Sequence, residues 1–218
     1  METVGNALGE EAKEYGVDVL LAPGLNIMRN PLCGRNFEYY SEDPLLTGKI
    51  AAAYVRGVQS EGVGTSIKHY AVNNQEINRL ANDSRLSERA LREIYLKGFE
   101  IVVRESHPWT IMSSYNKING VYTQEDRELL TTILRDEWGF DGIVITDDLA
   151  MDAVKQYANG EAAVLAVLAG NDMLITSDYQ SDIPAVLAAV ADGRIAEREI
   201  DAHVLRILRY KQAQGWIE

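Results

Sequence analysis

With 218 residues, 46% of them hydrophobic, the chain can bury one substantial core, and a single domain spanning 1–218 is the natural count. A formal net charge of -12 excludes the basic surface that nucleic acid or an anionic membrane rewards, so a neutral partner fits better. The one cysteine, Cys33, cannot form an internal disulfide and is assigned to packing; no run approaches the roughly eighteen apolar residues of a membrane span.

Met1 opens a polar segment unlike a secretory signal, which favours a cytoplasmic location. Val4, Leu8, Glu11, Ala12 and Tyr15 lie on a helical period that Gly16 ends, and Val17 to Ala22 reads as an apolar strand. The long loop from Pro23 to Glu38 is rich in Gly, Pro and Asn, and loops of that length inside a compact domain are usually functional or disordered. Asp43-Pro44 predicts a capped helix running to about Gly62, followed by a strand from Gly64 to Tyr70. Ser87 caps a helix covering Leu91, Ile94, Tyr95, Phe99 and Val102, and Trp109 to Ser114 is the next strand.

Thr123 opens the helix that carries Leu129, Leu130, Ile133, Leu134 and Trp138 and stops at Gly139. The β-branched run Ile143-Val-Ile-Thr146 then delivers Asp147 and Asp148 to a sheet edge. Successive strand side chains face opposite ways, so only one of these carboxylates can serve a cleft. A helix around Glu161 to Ala169 leads into a strand from Asp172 to Thr176, and two amphipathic helices close the chain before Gly193 and Gly215. His203 on the last helix is read as structural, and His107, before Pro108, as a loop residue.

Nearly continuous apolar strands alternating with helices predict an α/β fold with a parallel sheet. Polar groups gather at the strand carboxyl ends, with Lys68-His69, Ser114-Tyr115-Asn116 and Asp147-Asp148 on one rim. That is the habit of a (β/α)8 TIM-barrel-like domain. Five strands are legible where a closed barrel needs eight, so the barrel is expected to be incomplete and a second copy to cover its open side as a homo-oligomer. Neither phosphate-loop fingerprint occurs, and three scattered histidines offer no metal-ligand spacing, so no cofactor or metal is expected.

Four segments together resemble the catalytic barrel of glycoside hydrolase family 3, in its β-glucosidase branch: Gly34-Arg-Asn-Phe-Glu-Tyr-Tyr-Ser-Glu-Asp-Pro44, Lys68-His-Tyr-Ala-Val-Asn-Asn-Gln-Glu76, Met112-Ser-Ser-Tyr-Asn116, and Gly139-Phe-Asp-Gly142 with Thr146-Asp147. The resemblance implies Asp147 as nucleophile, and Arg35, Lys68, His69, Arg79 and Tyr115 holding or bordering the sugar in the first subsite. It also implies a barrel shortened at its amino end and lacking the second domain that carries the acid/base glutamate in two-domain members. Single-domain members use a histidine in the loop after the Lys-His strand, and Tyr70 to Arg85 contains none. The run from Asp147 to Met151 and the tail Ala169 to Leu174 are similar to the N-acetylglucosaminidase branch.

The activity implied is a retaining β-glycosidase that releases terminal β-linked glucose through a glycosyl-Asp147 ester. Glu38, Glu76, Asp148 or a neighbouring subunit would supply the acid. The alternatives are β-N-acetylglucosaminidase-like activity, or a sugar-binding or structural barrel without chemistry. Such an enzyme needs an ionised nucleophile with a second carboxyl about 5 to 5.5 Å away. Nearby lysine and arginine are expected to keep Asp147 ionised. Ion pairing of Arg35 and Arg79 with Glu38, Glu76 or Asp83 is the plainer reading of those arginines, and Tyr115 could be a core aromatic.

Overall fold

The computed structural model of the chain describes residues 1–149, 157 and 159–218. Its strands are β1 (Val19–Leu20), β2 (Gly64–Tyr70), β3 (Asp83–Ser84), β4 (Thr110–Ser113), β5 (Lys117–Ile118), β6 (Val121–Tyr122), β7 (Ile143–Asp148) and β8 (Met173–Ile175). Its α-helices are α1 (Glu2–Glu14), α2 (Pro44–Ser60), α3 (Glu88–Ala90), α4 (Lys97–Ser106), α5 (Glu161–Ala169), α6 (Tyr179–Ala191) and α7 (Glu197–Ala213). Five strands in the order β1-β2-β4-β7-β8 form one curled parallel sheet, a half-barrel. Each expected strand is present, and the incomplete barrel is the fold.

Parallel neighbours need long crossovers, and α2, α4, the helix over Glu128–Glu137 and α5 lie on the four connections between neighbouring strands of the sheet. Ile67, Ile111 and Val144 point to the same side of the sheet and pack with Val55 of α2, Phe99 and Val102 of α4, and Leu130 and Leu134. The opposite side carries Met112, Ile143 and Ile145, against which Ile207 and Tyr210 of α7 pack. Two caps predicted from sequence form: Asp43 accepts from the amides of Leu45 and Leu46, and Ser87 from Ala90. Gly139, at φ 76, ends the helix before β7 in the left-handed region that glycine enters without penalty.

Three features depart from the sequence pattern. In α1 the buried residues are Gly5, Gly9 and Ala12, whereas Val4 and Tyr15 are 51% and 79% exposed. Close backbone approach decides the packing face there, because a Cβ on Gly57 of α2 would lie 2.2 Å from the Glu2 carbonyl oxygen. The helix before β7 is wound as a π-helix over Glu128–Glu137, with Trp138 N–H reaching back five residues to the Ile133 carbonyl at 3.1 Å. A similar π turn, Leu91–Tyr95, precedes α4. The third departure is a small sheet, β3-β5-β6, assembled from the loops after β2 and β4 on the carboxyl rim. Among the described residues, no helix is long and apolar enough to cross a membrane.

Candidate active site

The carboxyl rim begins with β7, where Thr146 is fully buried and its hydroxyl accepts from the Ile175 amide at 2.9 Å, locking β7 to β8. Strand alternation then turns Asp147 to the other side, its side chain 15% exposed. The Asp148 amide donates to Asp147 Oδ1 at 2.8 Å. Ala150 and Met151 of the run that follows lie outside the described residues.

On the far side of β4, β2 ends in Lys68-His69. Asn26 clamps His69 there, its side-chain amide bonding both the carbonyl and the N–H of that residue at 2.9 Å. His69 Nε2 lies 3.9 Å from Asp147 Oδ2 and 3.2 Å from Arg35 Nη1. Burial, reinforced by Arg35, Lys68 and Arg79, holds the imidazole well below its ordinary pKa and therefore neutral. A guanidinium can only donate, so Nε2 accepts from Arg35 and the ring proton sits on Nδ1, which is buried without a partner.

Arg35 comes from the loop after β1 and Lys68 from β2, and Glu38 joins them. Its Oε1 accepts from Arg35 Nε, and its Oε2 lies 3.6 Å from Lys68 Nζ. Arg79 donates to Glu76 at 3.1 Å and lies over the Tyr115 ring, 5.4 Å from its centroid. The ion pairs that the plainer reading assigned to Arg35 and Arg79 are therefore present. Both arginines nonetheless stay within electrostatic reach of the Tyr115 hydroxyl, as do Glu76 and Asp147. That hydroxyl is buried without a partner, and burial raises its pKa. Beside this wall a hollow of about 370 Å³ is lined by Glu76, Asn78, Arg79, Leu80 and Ala81.

The structure thus gathers Asp147, His69, Arg35 and Lys68 into one cluster, with Tyr115 and Arg79 along its side. Arg35 and Lys68 do favour the Asp147 carboxylate, as does the Asp148 amide, but burial outweighs them and the carboxyl is pushed above the ordinary aspartate value. Glu38 and Glu76, the candidate proton donors, each give one oxygen to an arginine, while the second oxygen of Glu38 faces Lys68 and that of Glu76 accepts from Asn73. Asn26 and the bridging position of Glu38 escaped the sequence reading. The i,i+3 spacing of Arg35 and Glu38 signals their pairing, whereas nothing local marks Asn26.

His203, read as structural, has such a role. With Arg206 of the same helix and Arg135 it binds the fully buried Asp172 carboxylate at 2.6 to 2.7 Å. His107 is the left-handed residue that ends α4, and Cys33 is buried. Among the described residues, no three His, Cys, Asp or Glu side chains converge as a metal site requires.

A curled parallel sheet whose carboxyl rim collects an aspartate, a lysine–histidine pair and a loop arginine defines a β/α-barrel domain with its polar site where that fold places one. The chain belongs to glycoside hydrolase family 3: a family model described as the Glycosyl hydrolase family 3 N terminal domain matches residues 1–210. It is 44% identical over 209 residues to thermostable beta-glucosidase B of Acetivibrio thermocellus, a match covering 96% of this chain and 26% of that protein. It is 47% identical over 215 residues to an exo-alpha-(1->6)-L-arabinopyranosidase of Bifidobacterium breve, covering 99% of this chain and 26% of that protein. Beta-glucosidase 3B from Thermotoga neapolitana, solved in complex with alpha-D-glucose, superposes with a TM-score of 0.88 at 51% identity, over 96% of this chain and 29% of that one. The chain spans about a quarter of the length of the curated relatives it matches.

Proposed function

We propose that this chain provides the nucleophile and first sugar subsite of a retaining β-glycosidase acting on terminal β-linked glucose. The carrying observation is the part-buried Asp147 at the end of β7, 3.9 Å from His69 and within the field of Arg35 and Lys68. Asp147 attacks the anomeric carbon as the bond to the leaving oxygen breaks, and a proton passes to that oxygen from an acid. Water then cleaves the glycosyl ester and regenerates the carboxylate. Arg35 and Lys68 donate to sugar hydroxyls, and the unpartnered Tyr115 hydroxyl gains a partner when the sugar fills the site. A neutral His69 adds no charge, which suits an uncharged hexose. Relatives named beta-glucosidase support the sugar assignment.

The test is release of nitrophenol from aryl β-glucoside by the purified chain, beside Asp147→Asn. An activated leaving group needs little protonation, so the assay reads the nucleophile separately from the acid. Turnover abolished in the variant, with a 2-fluoroglucosyl adduct mapped to Asp147 by mass spectrometry, is the expected result. Equal turnover by the variant, or an adduct on another residue, removes Asp147 from the role. Aryl N-acetyl-β-glucosaminide and aryl α-L-arabinopyranoside run in parallel would identify a different sugar.

A further inference from the structure

We infer that Glu38 is a positioning residue: one carboxylate bridges Arg35 and Lys68 and presents both cations, preset, to the sugar that Asp147 attacks. This rests on the glycosidase reading above. The geometry divides the carboxylate cleanly, Oε1 accepting from Arg35 Nε and Oε2 facing Lys68 Nζ at 3.6 Å. Arg35 keeps Nη1 for His69, at 3.2 Å, so a single chain of contacts runs from Lys68 through Glu38, Arg35 and His69 to Asp147. The side chains of Arg35, Lys68 and Glu38 are only 21%, 17% and 19% exposed. Long flexible cations lose rotamer entropy when fixed, and a carboxylate that holds them before substrate arrives removes that cost from binding.

Local structure is shaped around this carboxylate. The 3₁₀ turn Asn36–Glu38, with Glu38 N–H bonding the Arg35 carbonyl at 3.1 Å, brings Glu38 back onto Arg35. Gly24 bridges to Lys68 in parallel register, and the Leu25 amide donates to the Lys68 carbonyl at 2.8 Å. A Cβ on Gly24 would lie 3.1 Å from Glu38 Oε2, so the missing side chain leaves the room in which the carboxylate meets Lys68. A proton donor needs an oxygen open to the leaving group, whereas both oxygens of Glu38 face cations.

The test compares Glu38→Gln and Glu38→Asp with the wild-type chain on nitrophenyl and methylumbelliferyl β-glucosides. Glu38→Gln is expected to raise KM at least tenfold with kcat changed less than threefold, because subsite contacts weaken while the nucleophile stays. Glu38→Asp keeps the charge and recovers part of the KM. A Glu38→Gln KM within twofold of wild type overturns the inference, and so does a kcat loss that deepens with the poorer leaving group, which would make Glu38 the acid. Should the Gln variant fail to show a cooperative thermal transition, Gly24→Ala presses on the same carboxylate from the strand side, and an unchanged KM there overturns the inference. If the wild-type chain turns over neither substrate, the glycosidase reading fails separately, and calorimetric titration with glucose decides. Affinity at least tenfold weaker in Glu38→Gln supports the positioning role, and equal affinity or no binding to wild type overturns it.

Discussion

At the residue scale Asp147 pits function against stability. Its carboxyl is pushed above the ordinary aspartate value by burial, against the pull of the Asp148 amide, Arg35 and Lys68. A carboxyl with a raised folded pKa stabilises the fold below the unfolded value, about 3.9, and that contribution is lost as pH rises through the folded pKa. At neutral pH the ionised group is therefore a net liability. Asp147→Asn keeps an acceptor for the Asp148 amide and removes the charge, so it is expected to gain roughly 0.5–2 kcal/mol at pH 7. On a chain of this size that is a Tm increase of a few degrees, at about 2–4 °C per kcal/mol. A variant no more stable than wild type by calorimetry at pH 7 contradicts the account. For the same reason kcat/KM for aryl β-glucoside should fall with acid along a limb lying above the ordinary aspartate value. The placement of Asp147 at the end of β7 was legible because its strand is continuous in sequence. Its electrostatics were not, because the desolvation that decides them comes from residues distant in the chain.

At the scale of elements, Asp172 joins four pieces of backbone that sequence keeps apart. It precedes β8, accepts from the Val144 amide of β7 at 2.7 Å, and binds Arg135 of the π-helix and His203 and Arg206 of α7. Desolvation raises its carboxyl, yet these donors together hold it below the ordinary value, so its contribution to stability is present above about pH 3.9 and lost as pH falls through the folded pKa. Asp172→Asn leaves the Arg135 guanidinium, 9% exposed in its side chain, without its charge partner. Stranding a buried charge costs about 3–5 kcal/mol, and urea unfolding should show that loss. A cost below 1 kcal/mol would mean water replaces the carboxylate. Since α7 buries no residue of its own, the same variant should expose α7 to proteolysis first. Between α1 and α2, Gly57→Ala places a Cβ 2.2 Å from the Glu2 carbonyl oxygen and is expected to cost about 1–3 kcal/mol, read by the same unfolding curves. Apolar periodicity located both helices but missed the face α1 buries, because glycines give periodicity no signal. It also could not foresee the π winding before β7 or the β3-β5-β6 sheet, which long-range pairing decides.

At the scale of the whole molecule, β1 and β8 are, among the described residues, the two edges of a five-stranded sheet that does not close. Beside β8, a cavity of about 470 Å³ has apolar walls of Val167, Leu174, Tyr179, Ile183, Val186 and Leu187. Ile183 and Leu187 are 56% and 64% exposed, and Met173 and Leu21 leave further apolar surface at the two edges. Unpaired strand backbone next to exposed apolar side chains promotes pairing with another chain. Association of two copies through these edges, the arrangement expected from the strand count, is therefore the predicted solution behaviour of this 218-residue chain. The opposing force is a formal charge of -12 on each copy. Repulsion between exposed charges is screened beyond about 8 Å at 0.15 M salt, whereas burial contributes roughly 25 cal/mol for each Å² of apolar surface at any salt. Apolar contact should therefore prevail once salt is present, and the dimer fraction in sedimentation velocity should rise between about 20 mM and about 300 mM sodium chloride, a range whose screening lengths bracket that distance. Ile183→Glu with Leu187→Lys adds charge to the apolar wall and should return the chain to a monomer without lowering its Tm, because both side chains are exposed. A wild-type chain that stays monomeric across that salt range would show that its edges are blunted within one copy.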